Sequence, residues 1–74
     1  MEIFQKNNSV TGTVIGGNNY GCYVRDDESG RVVFYYGNGM KGDRVQLTIY
    51  NVDLKRERVT CKLDSVLEYG DFVA

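Results

Sequence analysis

The chain alternates short runs of β-branched or aromatic residues with clusters of glycine, asparagine and charge, the pattern of strands separated by turns. Residues 10–16, Val-Thr-Gly-Thr-Val-Ile-Gly, predict a first strand, and Gly16-Gly17-Asn18-Asn19 turns the chain. A second strand over 20–25 leads through the polar loop Asp26-Asp27-Glu28-Ser29-Gly30 into a third over 31–36. After the glycine-rich break at 37–43, residues 44–50 alternate cleanly, with Val45, Leu47 and Ile49 on one side. Residues 51–57 read as a charged loop and 58–63 as a fifth strand. Beyond it, Ser65 with Glu68 fits a capping box and Gly70 a helix stop, which predicts one helical turn in the tail.

Five short strands in 74 residues predict an all-β fold, a small five-stranded barrel of the OB type, with an SH3-like barrel as the alternative. The expected organisation is one domain over 1–74, with the barrel at about 9–63 and a tail at 64–74. A chain this short buries only ~60% of the surface its unfolded form exposes, so its stability is modest.

If the second and third strands pair, alternation sends Cys22, Val24, Val32 and Phe34 inward and Tyr23, Arg25, Arg31 and Tyr35 outward. The outer face is then aromatic and basic. Bases stack on rings and phosphates attract arginine, which makes such a face a candidate platform for a single nucleic-acid strand.

Charge changes this picture moderately. The formal net charge is −1, but all nine Lys and Arg lie in residues 1–63 beside seven acids, and the tail holds three acids and no base. A local basic face is compatible with that distribution; a strong electrostatic footprint is not. Cys22 and Cys61 fall at inward positions and read as small buried hydrophobes. With no histidine and no CxxC spacing, neither a zinc site nor acid–base or nucleophilic catalysis has its usual apparatus, so no enzyme activity, metal or cofactor is expected. Residues 37–42 match GxGxxG, but that motif receives a dinucleotide by opening a helix, and here a strand follows. No apolar run approaches the ~20 residues of a membrane span. The N-terminus has no basic start with a long apolar centre, so a soluble, cytoplasmic, monomeric protein is expected.

The motifs resemble the S1-like RNA-binding domain. Its valine strand with interior glycine, followed by aromatic-Gly-small-aromatic-Val, is similar to Val10-Thr11-Gly12-Thr13-Val14 and Tyr20-Gly21-Cys22-Tyr23-Val24. Its Gly-Asp-x-Val, its alternating strand ending in Val-Asp and the arginine opening its last strand are similar to Gly42 to Val45, Val52-Asp53 and Arg58. The resemblance implies base stacking on Tyr20 and Tyr23 and polar contacts from Asp53 and Arg58. Where the family keeps a third-strand histidine this chain has Val33, and Tyr35 is the expected substitute ring. The family's long connection with a short helix between strands three and four shrinks here to 37–43, leaving one barrel mouth to be covered by Met1 to Phe4 or by Leu67, Tyr69 and Phe72. The implied ligand is single-stranded RNA, with single-stranded DNA as a further candidate, held by Tyr20, Tyr23, Arg25, Arg31, Tyr35, Asp53 and Arg58. The alternative is a protein-interaction domain that uses the same face, or the acidic tail, to dock onto a ribonucleoprotein or other protein partner without direct RNA contact.

Overall fold

The computed structural model describes residues 5–70. Five strands form, β1 (Ser9–Gly17), β2 (Gly21–Asp26), β3 (Val32–Tyr36), β4 (Arg44–Asp53) and β5 (Arg58–Glu68). They hydrogen-bond in the order β1-β2-β3-β5-β4, and β4 returns to β1, so the sheet closes in a ring. Closure satisfies the backbone groups that an open sheet leaves at its edges. All neighbours are antiparallel except β3 and β5, which run parallel and share two residue pairs, Phe34 with Thr60 and Tyr35 with Cys61.

β1 serves two neighbours: Ser9 to Thr13 pair with β4, and Gly12 to Gly17 with β2. A register shift between Val14 and Gly16 lets it turn from one to the other, as bulges do where a sheet must coil. The interior is filled by Val10, Val14, Cys22, Val24, Val33, Tyr35, Val45, Leu47, Ile49 and Cys61, with Val52, Val59, Leu63 and Val66 packed at its margins. Each large side chain so placed contributes about 1.5–3 kcal/mol of transfer free energy.

Two expectations change here. β5 does not stop at Leu63, and residues 65–68 are strand rather than helical turn. β4 is ten residues long, and its first three residues, Arg44 to Gln46, need a partner on the side away from β1. Ser65, Val66 and Glu68 supply it through bulged pairing. The third strand also has the opposite phase: Val33 and Tyr35 point into the ring, while Val32, Phe34 and Tyr36 face out.

Asp43 ties the short 37–43 connection to the C-terminal end of β5. Its carboxylate, 5% exposed, accepts the N–H of Met40 at 3.0 Å and that of Gly70 at 2.6 Å. These two N–H groups, Met40 first, hold the acid below its ordinary range. Gly37 and Gly42 have positive φ, so the GxGxxG spacing here serves a turn into a strand. Of the residues expected to cover a barrel mouth, Leu67 is an exposed residue of β5 and Tyr69 lies just past its end, also exposed, whereas Met1 to Phe4 and Phe72 lie outside the described residues.

Candidate nucleic-acid interface

The outward side chains of β2 and β3 form a row of rings. Tyr23 and Phe34 stand opposite each other in register, their centroids 5.1 Å apart at 58°. Phe34 meets Tyr36 edge-on at 5.0 Å. Tilted and edge-on contacts are the favoured ways for rings to pack, so the row holds its own shape with no ligand bound. Tyr20 precedes β2 and is 75% exposed, and Tyr36 is 61% exposed.

Asn18 organises the turn before β2. Its side-chain oxygen accepts the N–H groups of Tyr20 at 2.8 Å and Gly21 at 3.1 Å, and its amide donates to the Tyr23 hydroxyl at 3.4 Å. This is the Asx turn that makes asparagine common at such positions. Gly21 is required for a different reason. A Cβ there would collide with the backbone oxygen of Tyr35 and lie 2.7 Å from Phe34 Cζ, so its missing side chain lets β3 and the Phe34 ring lie close.

These rings floor a groove of about 620 Å³ that runs across the β3–β5 seam. Its far wall is Arg56, Glu57 and Arg58 with Val59 and Thr60. Arg56 lies 3.9 Å from Asp53 in an exposed ion pair of the kind that contributes at most about 1 kcal/mol. No ion pair among the described residues engages Arg58.

The expected site residues therefore divide. Tyr20, Tyr23 and Arg58 line the groove together. Arg25 is exposed on the same outer face, opposite Val32, but lies beyond the groove. Arg31 is exposed in the loop before β3 rather than in the strand. Two of the acids near these arginines are occupied: Asp26 accepts from Ser29, and Asp27 pairs with Arg44 at 2.6 Å. Asp53 is half-buried and spends its carboxylate on the β4–β5 turn, accepting the N–H of Arg56 at 3.2 Å, outside the groove lining.

Tyr35 is the clear correction. It is fully buried between Cys22 and Cys61, and its hydroxyl donates to the Asn38 carbonyl at 3.0 Å. Burial, followed by the neighbouring Cys22 side chain, pushes its pKa up. It is a core residue and presents no ring to a ligand. Sequence reasoning missed Phe34 and Tyr36, which carry the third-strand rings of the groove; Asn18, Arg56 and Glu57 fall in the two loops expected to flank the binding face, at 16–19 and 51–57, but were given no individual role. The signal for Phe34 was the Gly21 gap beneath it, legible only once the β2–β3 register is known.

No family model matches the chain, and no curated protein matches it. Among solved structures, the chain is similar to one in the crystal structure of an a/eIF2alpha–aDim2p–rRNA complex from Pyrococcus horikoshii OT3, with a TM-score of 0.71 and 20% identity. The match covers 84% of this chain and 45% of that one, so this chain spans less than half the length of its structural neighbour. At that identity the likeness is one of fold.

Proposed function

We propose that this closed ring is an OB-type barrel of the S1-like kind that binds single-stranded RNA in the groove described above. The observation that carries the reading is the placement of four exposed or half-exposed rings, Tyr20, Tyr23, Phe34 and Tyr36, in one groove with Arg56 and Arg58. In OB barrels the face of strands two and three, flanked by the loops after strands one and four, takes oligonucleotides. The groove draws on those four elements. A structural neighbour from a complex that contains rRNA supports the same ligand class.

The mechanism is stacking with modest charge. Bases lie against the ring row, each stack contributing ~1–3 kcal/mol with little dependence on which base it is. Arg58, and Arg56 in competition with Asp53, contact phosphate or ribose. No step of chemistry is proposed, and single-stranded DNA competes to the extent that ribose hydroxyls go unread.

A titration of oligouridylate at low salt, followed by backbone NMR, tests this. Shifts should concentrate at Tyr20, Tyr23, Phe34, Tyr36 and Arg58. With two arginines on phosphate, log affinity should fall with log salt at a slope of about −1.4, and Arg58→Ala should halve it. An absence of shifts in the groove at millimolar RNA overturns the reading, and shifts seen instead with a protein partner on this face would favour the docking alternative.

A further inference from the structure

We infer that Glu57 makes the groove selective for guanine over uracil, an inference that rests on the RNA-binding reading and adds a base preference to it. Glu57 is the one acid among the described residues that line the groove. A carboxylate in a site for a polyanion repels phosphate, so its presence calls for something else in the ligand to meet it.

Its position is defined. Glu57 lies in the β4–β5 turn between Arg56 and Arg58 with φ at +52°, a left-handed conformation that glycine or asparagine adopts more readily. Its N–H donates to the Leu54 carbonyl at 3.4 Å. Neither flanking arginine takes its carboxylate: Arg56 pairs with Asp53, and no ion pair among the described residues joins Arg58 to Glu57. Glu57 lines a groove floored by rings, across which bases would lie with their edges turned toward the walls.

An ionised carboxylate only accepts hydrogen bonds. Unpaired bases in single strands are read on their Watson–Crick edges, and these differ in what they offer a carboxylate. Guanine presents N1–H and the N2 amine side by side, two parallel donors matched to two oxygens. Cytosine and adenine offer an amine beside a ring acceptor. Uracil offers one N–H flanked by two carbonyl oxygens, which the carboxylate repels. The predicted order at this position is guanine, then cytosine and adenine, then uracil.

The test compares oligouridylate with the same oligomer carrying one central guanosine, or one central inosine, which lacks the N2 amine, against wild type and Glu57→Gln. Wild type should bind the guanosine oligomer about ten-fold more tightly than plain oligouridylate, the scale of one good bidentate base contact. Inosine should fall between. Glu57→Gln should lose the preference while binding oligouridylate at least as tightly as wild type, since a repelling charge has gone. Equal wild-type binding of all three oligomers, or a preference that persists in Glu57→Gln, overturns the role of Glu57 and leaves the RNA reading standing. Binding to none of them overturns both.

Discussion

Replacing Phe34 with alanine takes the middle ring out of the Tyr23–Phe34–Tyr36 row and leaves the interior of the ring untouched. Phe34 is half-buried and makes two ring contacts, each contributing about 0.5–1.5 kcal/mol beyond area burial. The variant should therefore lose at least about 1–3 kcal/mol of folding stability, the lost area burial adding to the ring contacts. A domain of this size has roughly 4–11 kcal/mol to draw on, so it stays folded. Its affinity for oligouridylate should fall by about 1–3 kcal/mol, or roughly 5- to 150-fold, for the lost stack. Tyr35→Phe is the contrasting change. It removes a buried hydroxyl from the Asn38 carbonyl at a cost of about 1 kcal/mol in stability and should leave affinity within two-fold or so. Urea denaturation and fluorescence anisotropy with labelled RNA, run on both variants, separate the two effects. Wild-type affinity in a folded Phe34→Ala protein would refute the platform, and an affinity loss in Tyr35→Phe matching that of Phe34→Ala would refute the inward assignment of Tyr35.

Three further outcomes follow from the geometry. Gly21→Ala should destabilise by more than about 2 kcal/mol, because the clash is with strand backbone as well as the Phe34 ring, and should shift the Phe34 and Tyr23 ring resonances; an unchanged melt would show that β3 can retreat. Asp43 has a lowered pKa in the folded state, so its contribution is complete above the ordinary aspartate value of about 4 and is lost as pH falls through the folded value. Wild type should accordingly lose stability below about pH 4 more steeply than Asp43→Asn, and parallel acid limbs would refute the linkage. Burial pushes the Cys61 thiol up to about 12, so an aromatic disulfide reagent at pH 8 should spare Cys61 in the native protein and label it in guanidinium; rapid native labelling would contradict its burial.

The strand count and the turns were legible because glycine, asparagine and acid clusters punctuate alternating runs. The phase of β3 was not. Arg31 to Tyr36 reads Arg-Val-Val-Phe-Tyr-Tyr, apolar or aromatic at five successive positions, so period two gives no preference for either face. Assigning Arg31 to the strand set the phase wrongly, since the loop absorbs Arg31 and register with β2 decides: Cys22 opposite Tyr35 inside, Tyr23 opposite Phe34 outside. The tail misled in another way. Ser65 and Glu68 satisfy a helix cap locally, yet Arg44 to Gln46 of β4 offer ladder partners through bulged pairing, and tertiary pairing outweighs a seven-residue helix. Tyr23 was legible from alternation along its strand, and Tyr20 and Arg58 only through the resemblance to the S1-like domain, whereas Glu57 joins the groove lining only through the fold of the β4–β5 turn.

The two-pair seam between β3 and β5 is the shortest ladder in the ring, so opening there breaks the fewest backbone hydrogen bonds and frees two strand edges at once. The groove lies across that seam, with rings on one bank and Arg58 and Thr60 on the other. A strand of RNA lying there would clasp the ring across its shortest ladder. Occupancy would slow amide exchange at Phe34, Tyr35, Thr60 and Cys61, and would guard concentrated solutions against the edge-to-edge swapping that an opened ring invites.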